Sequence, residues 1–275
     1  MTKTLLLKCT QPFAQYRNPF TFYYAQTFPL PPKSTIIGML QNAVGDWYGN
    51  KYGIDNWWNL KISVHGGFES TFWNYSSMIK GDIFFKENGD LVNKQKTKNG
   101  VAVLPLYGNS KTSQRTPVNM QELYNGHLWI FIRSDNFPAW PELKKALEEP
   151  RKVFSLGRSE DIIFVKSVQE VIANETKCIG KNLWLHYPTY FKWGMPLKNK
   201  KFPVYSMASR VVFTNQGIPI KNKSELNSNT LREAKFDPLI YSGLDYAIYL
   251  KQAIMVDIFA FDGDNFMIPR DYGWI

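Results

Sequence analysis

The chain has 275 residues, a formal net charge of +10 and a pI near 9.4, enough length for one large domain or two modest ones. The charge favours a polyanionic partner, although solubility alone also accounts for a charged surface. Hydrophobic residues at 44% and charged residues at 20% exclude a disordered chain, while aromatics at 16% suit unpaired bases, which offer π-faces to rings and phosphates to cations.

Residues 5–10 read as a first strand, followed by a loop rich in aromatics that carries a single positive charge, Arg17. In the stretch 28–49, Pro29, Pro31 and Pro32 hold the backbone extended, and Ser34 is suited to cap a helix. Ile36, Ile37, Leu40, Ala43, Val44, Trp47 and Tyr48 then recur at helical spacing, so that one broad face is built for burial. Lys33 and Ser34 sit beside the unpaired N–H groups of the first turn, which is the makeup of an anion site and also of an ordinary capped core helix. Residues 60–68 read as a second strand, with Ile62 and Val64 on one face and Lys61, Ser63 and His65 on the other.

From 69 to 125 the pattern changes. Two strand-like pieces, 78–85 and 100–107, flank a polar turn containing Glu87-Asn88-Gly89-Asp90. Between Lys80 and Arg115, seven basic residues (Lys80, Lys86, Lys94, Lys96, Lys98, Lys111, Arg115) outnumber three acidic ones (Asp82, Glu87, Asp90), and the segment reads as a long basic hairpin inserted into the domain. Residues 126–133 form a strand that alternates Leu128, Ile130 and Ile132 with His127, Trp129, Phe131 and Arg133. A short helix over 141–149 carries the stripe Leu143, Ala146 and Leu147 and is stopped by Pro150. The loop Ser155-Leu156-Gly157-Arg158-Ser159-Glu160-Asp161 leads into a strand over 162–168.

This order, β-α-β, insertion, β-α-β, predicts an α+β fold of ferredoxin-like (split βαβ) type over 1–170: a four-stranded antiparallel sheet with two helices on one face, interrupted by the insertion at about 69–125. Residues 171–275 are expected to form a mostly β C-terminal subdomain, with strands at 182–186, 204–213 and 254–261 and a polar interruption at 215–235. Between 192 and 235, nine basic residues and two acidic ones are interleaved with Trp193, Phe202 and Tyr205, the pattern expected along the path of a single nucleic-acid strand.

Other chemistry has little support. His65, His127 and His186 could serve a metal-independent ribonuclease, but no base–orienter spacing is visible, and histidines on a covered sheet face are the simpler reading. Asp257, Asp262 and Asp264 invite a metal, yet Asp262-Gly263-Asp264-Asn265 between apolar runs reads as a hairpin turn. There is no Walker A, GxGxxG or GxSxG motif, so neither metal nor cofactor is expected. GHLWIFIRS also lacks the consensus of RNA-recognition sheets. Cys9 and Cys178 match no zinc spacing and read as free thiols. With no membrane-spanning run and only a short apolar stretch at 5–7, a cytoplasmic location away from membranes is expected.

Three features together, the QYRNPF that leads to FPLPPKSTIIGML, the long insertion and the SLGRSED loop, resemble Cas family five, the RAMP-type subunit of type I CRISPR Cascade complexes, closest in character to its I-B and I-A members. The resemblance implies a hand-shaped protein with a ferredoxin-like palm, a β-hairpin thumb and a variable C-terminal part. It implies a subunit that caps the 5′ handle of the CRISPR RNA, with the backbone subunit, the large subunit and, through the complex, target DNA as partners. Carried over onto this sequence, Arg17 takes the arginine position of the N-terminal loop, and Lys33, Ser34 and Thr35 take the start of the first helix, where Gly38 allows close approach. Gly157, Arg158 and Ser159 take the glycine-containing loop, and the thumb between 72 and 115 supplies Lys80, Lys94, Lys96, Lys98, Lys111 and Arg115 as RNA-binding candidates. One branch of the family is a processing endonuclease with a Tyr, Lys and His set. Here the three histidines follow Val64, Gly126 and Leu185, so there is no adjacent Lys–His pair, and a non-catalytic RNA binder is expected. A metal-independent repeat-processing endoribonuclease and a structural adaptor for protein or target DNA are the alternatives.

Overall fold

Three consecutive leucines, Leu5, Leu6 and Leu7, are each fully buried, which in a strand means that both faces are covered. In the computed structural model, which describes residues 3–21, 24–80, 83–85, 91–97, 100–105, 114–198, 201–221, 223–243 and 246–275, they lie on β1 (Lys3–Ala14). There follow α1 (Lys33–Val44), β2 (Lys61–Lys80), β3 (Gln114–Ser134), α2 (Trp140–Glu148) and β4 (Ile162–Glu170). Across the sheet the order of these strands is β2–β3–β1–β4, with β1 antiparallel to both of its neighbours. The fold is α+β and mostly strand, as expected, and β1, β2 and β3 all run longer than the periodicity alone marked.

One face of this sheet presents Leu5, Leu7, Ile62, Val64, Leu128, Ile130 and Ile132 to Ile36, Ile37 and Leu40 of α1 and to Leu143 and Leu147 of α2. The C-terminal part adds Tyr190, Met207 and Leu239 to the same core. On the opposite face Leu6, Trp129 and Phe131 pack against Phe259, Phe266, Ile268 and Trp274.

The C-terminal strands that matter for the site are β5 (Tyr190–Lys192), β6 (Val204–Asn215) and β7 (Thr230–Tyr241), in the spatial order β5–β7–β6, while β8 (Ile254–Phe261) and β9 (Asp264–Pro269) form the hairpin that covers the second sheet face. The expected polar interruption over 215–235 is partly strand: β7 begins at Thr230 and pairs with β6 from Asn215↔Thr230 onward. Residues 231–235 are all exposed, so this part of the strand carries no apolar alternation in the sequence. The last residue of the chain exchanges both backbone hydrogen bonds with Ile62 at the edge of β2.

Contacts divide the chain into two units, one of residues 1–18, 27–72 and 122–275, the other of residues 19–26 and 73–121. Within the second unit Ile83–Phe85, Leu91–Thr97 and Gly100–Pro105 form a three-stranded antiparallel sheet, so the expected polar connection between two strands itself supplies the middle strand. Lys98 and Lys111 lie outside the described residues, as do the side chains of Lys80, Lys94, Lys96 and Arg115.

His65 shows how thoroughly the second face is closed. Its ring is 2% exposed, lies edge-on to Phe131 and Phe266 at 5.6 and 5.5 Å, and places Nε2 3.0 Å from Ser63 Oγ. Burial lowers its pKa to about 3, so it is a neutral core group at any ordinary pH. Because the folded pKa lies below the unfolded one, its contribution is complete above pH 6.5 and is lost as the pH falls toward 3. This window corresponds to a loss on the order of 5 kcal/mol. We expect urea midpoints measured between pH 7 and pH 4 to fall more steeply for the wild-type chain than for His65→Gln.

Candidate nucleic-acid interface

The proline run itself sets the start of α1. Pro32 occupies the capping position at φ −65° and ψ 155°, and its carbonyl accepts hydrogen bonds from the N–H groups of Thr35 (3.0 Å) and Ile36 (3.2 Å). Ser34 is therefore not the cap that its residue type suggested but the second helical residue. The first turn has no side-chain cap and no acidic residue. Among the described residues the Ser34 and Thr35 hydroxyls have no hydrogen-bond partner, which leaves the positive end of the helix open to an anion.

At its other end the helix stops earlier than expected, where Gly45 turns left-handed at φ 75°. Trp47 and Tyr48 consequently leave the helical face and form a 3₁₀ turn. Tyr48 is buried and trades hydrogen bonds with the Phe213 backbone, while Trp47 is exposed and stacks on the Phe213 ring at 5.9 Å. Trp47 thus anchors the segment to β6 rather than to the sheet core.

The SLGRSED loop is built around one buried carboxylate. Asp161, 1% exposed, accepts hydrogen bonds at Oδ2 from the Gln15 N–H (2.9 Å) and the Arg158 N–H (2.8 Å), and at Oδ1 from the Arg158 guanidinium (2.8 Å). The Gln11 amide donates to the Leu156 carbonyl at 2.6 Å and accepts from the Tyr16 hydroxyl at 2.5 Å, so residues 11–16 and 156–161 are tied together. Gly157 cannot be replaced without strain: its φ is +118°, and a Cβ there would stand 2.6 Å from Asp161 Oδ2 and 3.0 Å from the Gln15 carbonyl. Arg158 also donates to Glu122 at 2.6 Å. Burial alone would lower its pKa, but the hydrogen bonds to Asp161 and Glu122 outweigh that and hold the guanidinium firmly protonated. Its charge is spent within the protein, which makes it a positioning residue for the loop. Ser159 is exposed and donates to Glu160 at 3.0 Å. Arg17, two residues beyond Gln15, keeps an exposed side chain while its backbone bridges to Thr27.

Ser34, Thr35 and Gly38 of α1 line one polar cavity of ≈ 260 Å³ with Ser155, Gly157 and Arg232. Four of the sequence candidates therefore meet. Nothing stands within 4 Å of the Cβ position at Gly38, so the backbone there is open to the cavity. Arg232, on β7, is exposed and forms no ion pair among the described residues, so its charge is available to a ligand. Lys33 turns the other way, into a separate cavity of ≈ 480 Å³ whose walls include Lys192, Trp193 and Asp237. Arg232, Lys192 and Trp193 all fall in the basic stretch 192–235, whose charge was visible in the sequence but whose position beside α1 was not.

The other polar residues singled out in the sequence lie away from this cavity. Asp257 is buried and is held by Arg133 (3.2 Å), Arg270 (2.7 Å) and the Thr176 hydroxyl (2.9 Å). Asp262 and Gly263 form the turn between β8 and β9, at φ 51° and 88°. His186 Nδ1 lies 3.6 Å from Asp264 Oδ1, and none of the three histidines lines the cavity between α1 and the Gly157 loop. Among the described residues no three His, Cys, Asp or Glu side chains gather as metal ligands.

A family model described as CRISPR-associated protein (Cas_Cas5) matches residues 4–223. The chain belongs to this family. The match spans α1, the insertion, the Gly157 loop and the start of the basic C-terminal strands. Among curated proteins none matches. Of solved structures, a chain of a CRISPR RNA-guided surveillance complex is similar at 13% identity and a TM-score of 0.47, with 91% of each chain covered. A Cas protein is similar at 14% and 0.38, over 86% of this chain and 95% of that one. A CRISPR protein from Archaeoglobus fulgidus is similar at 11% and 0.39, over 97% and 98%. Family membership rests on the sequence match.

Lys33 supplies a test of the electrostatics. Burial, reinforced by the neighbouring charge of Lys192 and opposed by Asp237, lowers its pKa from 10.5 to about 8. The unfolded chain thus binds more protons between pH 8 and 10.5, so holding this ammonium in place costs stability below pH 8 and costs nothing above 10.5. The cost at neutral pH is about 3 kcal/mol or less. Lys33→Met should raise the unfolding free energy at pH 7, and denaturant titrations should find that gain shrinking to nothing as the pH approaches 10.5.

Proposed function

We propose that the chain is a non-catalytic CRISPR RNA-binding subunit of a type I Cascade surveillance complex, and that it holds the 5′ handle of the RNA. The observation that carries this reading is the polar cavity where the open N-terminus of α1, the bare backbone at Gly38 and Gly157, and the unpaired Arg232 converge. Helix N–H groups and an unpaired guanidinium are a phosphate site, and the open backbone at Gly38 lets a ligand approach closely. Arg17 extends, exposed, from the loop that Asp161 ties to this wall.

The strand order β2–β3–β1–β4, with α1 and α2 on one face, supports a ferredoxin-like palm over 1–170 followed by a C-terminal subdomain. In this reading the unit of residues 73–121 is the thumb, and its lysines lie along the RNA where the handle meets the guide. Backbone and large subunits are the protein partners, and target DNA is reached through the complex. No helix among the described residues is long and apolar enough to cross a membrane. A ribonuclease based on His65 has nothing to favour it, since that ring is enclosed and neutral.

Thr35→Glu separates binding from folding. A carboxylate in the first turn of a helix stabilises it through the helix dipole, by about 0.5 kcal/mol, yet repels phosphate. We expect the melting temperature to hold or rise while affinity for the repeat-derived 5′ segment of the co-purifying RNA falls at least tenfold in a filter-binding titration. Arg17→Ala should weaken the same binding and flatten its log–log salt dependence by about 0.7. Unchanged affinity in both variants would remove the basis for this reading.

A further inference from the structure

Consecutive residues at the start of α1 serve two different cavities: Ser34 and Thr35 line the polar one described above, and Lys33 lines its larger neighbour. The floor of the larger cavity is made by adjacent strands. Lys192 ends β5 opposite Leu239 of β7, Trp193 follows with its N–H bonded to the Pro238 carbonyl, and Asp237 stands opposite Met207 of β6. A bulge at Ser209, between the paired positions Ala208 and Arg210, breaks the ladder at this point, where such irregularities re-aim side chains toward a site.

The contents of the cavity are unbalanced. Neither Lys33 nor Lys192 has an ion-pair or hydrogen-bond partner for its ammonium among the described residues, although the two are close enough for Lys192 to disfavour the charge on Lys33. Asp237 lies nearby without closing on either. Trp193 leaves 62% of its surface exposed at the rim. Two unpaired cations call for an anion, an exposed indole for a flat ring, and a carboxylate for an N–H donor. At ≈ 480 Å³ the cavity is in the size range of small-ligand sites.

We propose that this cavity takes a single unpaired nucleotide of the bound RNA, its phosphate between Lys33 and Lys192, its base stacked on Trp193, and a base N–H donating to Asp237. The inference rests on the RNA-binding reading above and extends it. The strand crosses the first turn of α1, with phosphate on the Ser34–Thr35 side and the next nucleotide inserted on the Lys33 side. Phosphate and base are both needed to satisfy the cavity, because an inorganic anion would leave Trp193 and Asp237 without partners.

The test uses the full chain and the repeat-derived 5′ segment of its co-purifying RNA, labelled for fluorescence anisotropy, together with a series in which each nucleotide in turn is made abasic. Lys192 and Trp193 are exposed, so Lys192→Ala and Trp193→Ala should fold normally, which thermal unfolding verifies. Each variant should lose about tenfold in affinity for the intact RNA. One abasic position should lower the affinity of the wild-type chain by a similar factor, and Trp193→Ala should add nothing to that loss. If Thr35→Glu and Arg17→Ala weaken binding while Lys192→Ala and Trp193→Ala do not, this inference fails and the handle reading survives. If the wild-type chain binds none of these RNAs, both fail. Equal losses for Trp193→Ala on every abasic RNA would make the indole a structural prop and overturn the inference. So would an unchanged RNA affinity with release of a protein subunit from the assembled complex, or the same Trp193 dependence with DNA of the same sequence.

Discussion

The buried carboxylate of Asp161 is the constraint on which the candidate interface depends. An isolated ionised carboxylate in the interior is strongly disfavoured, so it must be ringed by donors. Here the donors are the backbone of Gln15, the backbone and guanidinium of Arg158, and none of them can move without leaving that charge unsatisfied. Removing one partner of such a pair costs about 3–5 kcal/mol. The N-terminal loop that bears Arg17 and the glycine loop that walls the polar cavity are thereby held as one piece.

A second constraint is that the main sheet is closed on both faces. Helices α1 and α2 cover one, and the hairpin β8–β9 with Trp274 covers the other. The aromatic residues Trp129 and Phe131, which in an open sheet could stack on bases, are core residues here, packed on Phe259 and Phe266. Polar chemistry is displaced from the sheet surface to helix and loop ends, where backbone donors remain unpaired.

Helix α1 does two jobs with one sequence. Ile36, Ile37 and Leu40 are fully buried against the sheet, which fixes the axis of the helix. Its rigid first turn then presents Lys33 to one cavity and Ser34 and Thr35 to another. The unpaired ammonium of Lys33 is unfavourable in the free protein, a local conflict of the kind expected where a charged ligand completes the site.

Much of this was legible in the sequence because it depends on local period and composition. Alternation in 126–133 and helical spacing from Ile36 to Val44 determined the strands, the helix and its buried face. The prolines marked where α1 starts, though Pro32 rather than Ser34 occupies the capping position, its carbonyl accepting from the N–H groups of Thr35 and Ile36 while the first N–H groups of the helix stay uncapped. Trp47 and Tyr48 kept the apolar period while Gly45 broke the helix, and a period count does not register a left-handed turn. The tertiary structure alone decided which charges stay free. Arg158 looked like a ligand for phosphate until Glu122, 36 residues away in the chain, and Asp161 were seen to neutralise it. Arg232, Lys192 and Trp193 belong to a stretch whose charge and aromatics suit a nucleic-acid strand, but only β5 and β7 bring them against the start of α1. Pairing of charges is set by distance in space, and residues 150 or more positions apart acquire a distance only when the chain has folded.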